Sequence, residues 1–387
     1  MVCLGAPLQR RARVRRETPK RIGRAERRLQ ECSEPRFDED DDVVEYGGEL
    51  IYAVGYTEGG APYGVPVAEL QREAARDARG AGWARAKRVL RELFERETGA
   101  SVEIGPVRKI GDGLAREIFA ADVDLSPDPD RRSNTYVVAL PCPDADPELD
   151  ERTSTELRLV ARLRETVLPF RLPVMAGAYP DGDRLALVRR FVAGIELDLR
   201  AGRQSRVRPW ALVAEIASAI HGISGLHVAD VVTGHATRLD HARAALSIFD
   251  DLEVTEMKAA RSWAEAHLPP AQPSSLLHGD LLGQNILLSV DKPPCVIDWE
   301  YACRGDPAYD LAIITRAVRR PFQLHDGFER LLDVYRSSGK SQVTAAHVHV
   351  HELCLVAGWY RAALTGRSRH APEQEIGQMR SLLRRLE

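Results

Sequence analysis

An α+β fold is predicted, an antiparallel sheet followed by a mainly helical half, and three observations predict it. Between 101 and 192, short apolar runs are broken by turn residues, as strands are. From 209 onward, apolar residues recur at helical spacing, as in the stripe Leu212, Ile216 and Ile220. Inside the helical half, residues 277–312 (LHGDLLGQNILLSVDKPPCVIDWEYACRGDPAYDLA) hold two short apolar runs around a charged turn, the pattern of a hairpin.

The elements follow in order. Residues 1–42 are dense in arginine and end in the acidic run 38–42; such like-charge blocks bury too little apolar surface to fold, so a disordered charged tail is expected. Without interleaved aromatic residues for base stacking, it reads as a solvated tail rather than a nucleic-acid arm. Residues 43–100 are expected to form a small appended α/β unit, to which no function is assigned. Leu50, Tyr52, Val54 and Tyr56 alternate as a strand, and a helix over 67–97 carries the stripe Trp83, Ala86, Leu90 and Leu93. Gly80 and Gly82 are expected to split that helix and Gly99 to stop it.

A sheet lobe is expected over 101–193. Strands at 101–109 and 117–123 flank the turn Ile110-Gly111-Asp112-Gly113-Leu114, a third strand covers 135–140, and a helix over 153–166 carries Glu156. A further strand at 184–192 leads into a hinge near Gly194, and the helical lobe runs over 194–387. Its helices are expected at 209–222, 241–252, 255–267, 308–319, 323–337, 347–364 and 373–385. His347, His349 and His351 invite a metal reading, but only His347 and His351 share a helix face, which argues against one.

Composition narrows the functional classes. With 387 residues, 44% hydrophobic and 29% charged, the chain has the makeup of a soluble globular protein with room for several cores. A net charge of −3 gives no global attraction to nucleic acid or membrane, and no apolar run approaches the roughly 18–20 residues needed to cross a bilayer. The six cysteines form no C-x-x-C pair, so reduced thiols and a cytoplasmic setting are expected.

The hairpin segment carries the chemistry. Asp280 lies in a polar loop after Leu276-Leu277, Asn285 precedes the run Ile286-Leu287-Leu288, and Asp298 ends the run Val296-Ile297. One hairpin thereby sends three oxygen-bearing side chains towards one end. Phosphoryl transfer needs positioning and charge cancellation more than covalent work. Mg²⁺ takes one or two carboxylates together with phosphates and water, which suits Asp298 and the Asn285 amide oxygen. Asp280 is the carboxylate to accept the proton of an attacking hydroxyl. His278 reads as a buttress of the loop.

The segment resembles the aminoglycoside phosphotransferase family of small-molecule kinases, relatives of choline kinases. Its pattern H-G-D-x-x-x-x-N, I-D-W-E and G-D-P-x-x-D-L-A is matched throughout 278–312. The resemblance implies a protein-kinase-like two-lobed fold and ATP- (or GTP-) and Mg-dependent phosphorylation of a hydroxyl on a small molecule. It implies Asp280 as catalytic base, Asn285 and Asp298 as metal ligands, and His278, Asp306 and Asp310 as supporting residues. It also places Gly111, Asp112 and Gly113 over the nucleotide phosphates, where glycines let backbone N–H groups come close, with Glu156 as the acid of the phosphate clamp. His221 matches a histidine of the family's first large helix, where a core or helix-end role is expected.

The sheet lobe departs from the pattern. The family places a lysine or arginine in the third strand, and here Ala139 stands in NTYVVALP. Arg116, Arg131 and Arg132 are the cations nearest in sequence. The departure motivates a second hypothesis, a catalytically weak or inactive kinase-shaped binding module. A protein kinase fits less well, because only seven residues separate Asp298 from Asp306 and there is no A-P-E. For the acceptor, Asp250, Asp251, Glu253 and Glu256 favour a cation, whereas the arginine excess beyond Ala346 opposes one.

Overall fold

The structure, a computed structural model, describes residues 43–46, 49–56, 62–112, 115–125, 134–143, 145–200, 207–338, 342–368 and 370–387. The expectations for 1–42, Gly113, Arg131 and Arg132 lie outside the described residues. Two compact units are present, Met1–Ala84 and Arg85–Glu387. In the first, β1 (Val43–Tyr46), β2 (Glu49–Tyr56) and β3 (Pro62–Pro66) form an antiparallel sheet in that order.

Helix α1 (Val67–Thr98) starts in the first unit and ends in the second. Gly80 and Gly82 do not split it, although each weakens a helix by about 1 kcal/mol relative to alanine. It stops where expected: Gly99 takes φ +69°, and its N–H donates to Glu95 O at 2.9 Å. The boundary between the units falls inside α1 and not near Ser101. The reason is packing, since Ala86, Val89, Leu90, Leu93 and Phe94 lie buried in the core of the sheet lobe.

That lobe is antiparallel throughout. Strands β4 (Glu103–Ile104) and β5 (Arg108–Asp112) both pair with β6 (Arg116–Asp124), followed by β7 (Asn134–Pro141). One strand was expected over 101–109, but Gly105 and Pro106 break it, and proline has no N–H for the ladder. Helix α2 (Leu149–Leu163) crosses next, and β8 (Met175–Asp181) and β9 (Arg184–Arg190) complete the order β4-β6-β7-β9-β8. The sequence reading missed β8, whose MAGAYPD lacks a β signature. It is an edge strand, where a proline is tolerated. Phe119, Ala121, Val123, Val138, Leu140, Ala186 and Val188 turn one face of the sheet onto α1. The opposite face bears Arg116, Ile118, Ala139 and Arg189, because residues paired across an antiparallel ladder share a face: Ile118 opposes Ala139, Ala139 opposes Leu187, and Val137 opposes Arg189.

After Gly194, β10 (Ile195–Glu196) pairs with the strand Ile286–Ser289, the first of the hairpin that follows Asp280 and Asn285. The helical lobe comprises α3 (Pro209–His221), α4 (Arg238–Ala245), α5 (Thr255–Ala266), β11 (Ser275–Leu277), β12 (Ile286–Ser289), β13 (Lys292–Val296), β14 (Cys303–Gly305), α6 (Ala308–Thr315), α7 (Gly327–Ser337), α8 (Ala345–Leu364) and α9 (Pro372–Leu386). Helix α6 ends four residues before the expected 319, because Arg316 and Ala317 turn to positive φ. One core joins α3, the hairpin and α7 around the fully buried Trp299, and a second joins α5, α8 and α9. Among the described residues, no helix is long and apolar enough to cross a membrane.

If α1 is integral to the sheet lobe, Leu90→Ala should destabilise the protein by about 2–5 kcal/mol, the range for a fully buried leucine. Urea denaturation checks this; a loss below about 0.5 kcal/mol would separate the helix from that core.

Candidate active site

Strand β11 delivers the chain to His278-Gly279-Asp280, and its pairing with β14 brings Asp306 and Asp310 alongside. The loop turns at Gly279 with φ +82°, where a Cβ would stand 2.1 Å from Tyr301 O, so only glycine fits. The buried Asp310 carboxylate accepts from His278 N at 2.8 Å and Gly279 N at 2.9 Å. It also faces His221 Nε2 at 3.0 Å, while His221 Nδ1 meets Tyr335 OH at 2.8 Å. Burial alone would raise the Asp310 pKa; the hydrogen bond and charge of His221, with His278, lower it. His221 thus has the core role expected of it.

His278 ties the two loops together. Its Nδ1 accepts from Asp280 N at 3.3 Å, and its Nε2 meets Ile297 O at 3.1 Å, which fits the neutral Nε2–H tautomer. Burial lowers its pKa, in keeping with a neutral ring. The ring packs on Trp299 with centroids 4.6 Å apart.

Asp280, Asn285 and Asp298 converge as the hairpin predicts. The buried Asn285 donates from Nδ2 to Asp280 O at 2.8 Å and to Asp280 Oδ2 at 3.1 Å, which leaves its amide oxygen for a ligand. Ile297 N donates to Asn285 O at 2.9 Å and joins the two ends of the hairpin. Asp298 is half-buried, takes φ +68°, and accepts no hydrogen bond among the described residues. A carboxylate in that state suits a hard cation. Burial raises the Asp280 pKa; His278 opposes the rise and Asp298 adds to it.

Glu156 lies close enough to Asp298 to feel its charge. Its Oε1 accepts from Trp299 N at 3.3 Å, and its pKa is pushed up to about 7 by burial and then by Asp298, against the pull of Arg116. Glu300 is also raised by burial, and both Asp298 and Asp280 add to the effect. Four carboxylates thus repel one another around one site, a field that a divalent cation would relieve. The residues present fit Mg²⁺ in that respect.

Two arginines oppose the acids. Arg116 meets Glu300 at 3.2 Å and Glu156 at 3.8 Å, and donates to Thr153 Oγ1 at 2.8 Å. The Arg189 side chain carries no hydrogen bond or ion pair among the described residues; burial lowers its pKa against the attraction of Glu156 and Asp298. Gly111 and Asp112 close the β5–β6 hairpin opposite Ile118 and Glu117. Sequence reasoning gave Glu300 no role although it ends the I-D-W-E motif. Arg189 was also missed, and the available signal was a charged residue at an inward position of the strand RLALVRR.

Behind the catalytic loop, Arg238 Nε donates to Asp306 Oδ1 at 2.6 Å, and His351 Nε2 meets Asp306 Oδ2 at 3.1 Å. Burial would raise the Asp306 pKa, but His351 and Arg238 hold it at about 2. His347 turns to Arg238 and His349 to Glu352, so the three histidines of α8 serve different partners. Three of the four acids of the run are paired with neighbours: Asp250 with Arg261, Glu253 with Lys258 and Glu256 with Arg380. These pairs weaken the argument for a cationic acceptor drawn from that run. A groove of about 560 Å³ beside the hinge, lined by Arg171, Phe191 and Lys292 among others, shares no residue with the catalytic hairpin's three oxygen donors.

The antiparallel sheet lobe, the hinge and the helical lobe with its hairpin define a protein-kinase-like two-lobed fold. Residues 127–339, more than half of the chain, match the model of the phosphotransferase enzyme family, and the chain belongs to that family. The structure is similar to macrolide 2'-phosphotransferase MphH from Brachybacterium faecium, with 22% identity and TM-score 0.54 over 75% of this chain and 97% of that one. It is also similar to a thermostable mutant of aminoglycoside phosphotransferase APH(4)-Ia, with 15% identity and TM-score 0.53 over 76% and 98%. The GDP and kanamycin complex of a third enzyme, an APH(2")-type phosphotransferase, matches at 14% identity and TM-score 0.53 over 76% and 98%. Among curated proteins, none matches the chain.

Two outcomes follow from this geometry. Gly279→Ala should destabilise the protein by about 1–3 kcal/mol, through positive-φ strain and the collision with Tyr301; an unchanged denaturation midpoint would show that the loop relaxes freely. His241 is partly buried, accepts from Asp306 N at 3.0 Å, and has its pKa lowered from 6.5 to about 3, by burial first and by His351 next. Between those values the unfolded chain binds the extra proton, so His241 costs stability progressively as pH falls below 6.5. Denaturation of His241→Asn should therefore depend less on pH over that window than the wild type, and equal slopes would exclude the effect.

Proposed function

We propose that the chain transfers the γ-phosphoryl group of ATP or GTP, with Mg²⁺, to a hydroxyl group of a small molecule. The observation that carries this reading is the hydrogen-bonded pair Asp280–Asn285 facing an Asp298 that lacks hydrogen bonds among the described residues. Asp280 accepts the proton as the acceptor oxygen attacks, and the Asn285 amide fixes its carboxylate. Asp298 and the Asn285 oxygen would hold the metal, which when bound neutralises charge on the transferring phosphates. Asp310 and His278 keep the two loops in register, and positioning is most of what this reaction asks of a protein. The hairpin at Gly111, Asp112 and Gly113 would cover the phosphates. Family membership, and relatives seen with a guanine nucleotide and an antibiotic, support the substrate classes. A cytoplasmic setting, where nucleoside triphosphates are abundant, fits the reaction, which needs neither nucleic acid nor membrane.

Ala139 favours one other reading, a kinase-shaped binding module without turnover. The two are separated by a coupled assay of nucleotide consumption over a panel of hydroxyl-bearing small molecules. Asp280→Ala should lower turnover by at least about 100-fold, the scale of a lost general base, and keep nucleotide affinity. Asp298→Ala should lose both turnover and metal-dependent nucleotide binding. Full turnover in Asp280→Ala would reject the mechanism, and nucleotide binding without turnover on any acceptor would favour the binding module.

A further inference from the structure

Resting on the phosphotransfer reading above, we propose that Arg116 grips the nucleotide phosphates, in place of the third-strand cation that Ala139 lacks. Arg116 opens β6, directly after the turn that would cover the phosphates. It shares a sheet face with Ala139, since Ile118 opposes Ala139 and Arg116 lies two residues from Ile118. Its guanidinium therefore comes from the neighbouring strand into the space that a third-strand lysine would fill. Glu156, the acid of the clamp, lies 3.8 Å from Arg116 Nη1, so the acid has kept a cationic partner although the third strand no longer supplies one.

The surroundings hold Arg116 without completing it. Thr153 accepts from Nη2, Glu300 Oε2 lies 3.2 Å from Nη2 and Glu156 Oε2 lies 3.8 Å from Nη1, but Arg116 Nε is buried with no hydrogen-bond partner among the described residues. A buried guanidinium N–H left without an acceptor is the donor that a ligand oxygen would complete. Arginine has five donors in a fixed fork, and a phosphate oxygen pair matches that fork. Other cations fit less well. Lys109 pairs with Glu117 at 2.7 Å and lies over the Phe119 ring, on the α1 side of the sheet. Arg189 shares the cleft face but makes no ion pair with Glu156, so it is the rival to be tested.

The experiment is calorimetric titration of the full chain with adenosine, AMP, ADP and ATP in Mg²⁺, and with the guanosine series. Wild type should gain affinity as phosphates are added. Arg116→Gln should lose roughly 10- to 100-fold of that gain, the worth of a charge-assisted hydrogen bond, and leave nucleoside affinity in place. Arg116→Lys should recover part of the gain. A purely structural Arg116 would weaken nucleoside and triphosphate alike, and that result overturns the proposal. Because Arg116→Gln strands buried carboxylates, Arg116→Gln/Glu300→Gln is measured beside it, with circular dichroism as the check on folding. A phosphate gain retained in both variants, or lost instead in Arg189→Gln, also overturns the proposal. Failure of the wild type to bind any nucleotide would reject the phosphotransfer reading itself, and the proposal with it.

Discussion

The buried carboxylate of Asp310 is the interaction on which the rest of the site depends. It accepts two successive backbone N–H groups, from His278 and Gly279, and meets His221 from the opposite side. Helix α6, helix α3 and the catalytic loop are thereby joined at one ion that water cannot reach. An ionised group at that depth is tolerated only because every approach to it carries a donor. Asp306 repeats the arrangement one turn earlier with Arg238 and His351, so the floor of the site is built from two satisfied acids. Above them the acids of the site itself are left short of donors, and the difference separates the groups that hold the fold from those that await a ligand.

Charge balance explains the geometry of the upper site. Burial, and with it the charge of Asp298, raises the proton affinity of Glu156, Glu300 and Asp280, against the pull of Arg116 on the two glutamates and of His278 on Asp280. Bringing these acids together is unfavourable in isolation. On the function proposed above, the arrangement is half of a larger set of charges whose other half would arrive with metal and nucleotide.

Much of this was legible in the sequence. The motif spacing placed Asp280, Asn285 and Asp298 at one end of a hairpin, and the hydrophobic periods located most helices within a few residues. Three features were not legible, each for a physical reason. The continuity of α1 through Gly80 and Gly82 is a local preference overridden elsewhere, since α1 is anchored by its burial against the sheet at Leu90 and Phe94. Strand β8 has no β signature because its place at a sheet edge asks little of its side chains. The partners of Glu156 and Glu256 are set by contacts over long sequence distances, which no local pattern encodes.

The left-handed backbone at Asp298 has a consequence for how such a protein drifts. At φ +68° an aspartate is held in a conformation that glycine or asparagine adopts at lower cost. Replacement by glycine would therefore relieve local strain while deleting the carboxylate. On the role proposed for it, stability and chemistry pull in opposite directions at this position, so loss of the Asp298 carboxylate would be energetically downhill for the fold. A lineage released from the need to transfer phosphate would be expected to lose its function here first, and to become more robust as it did so.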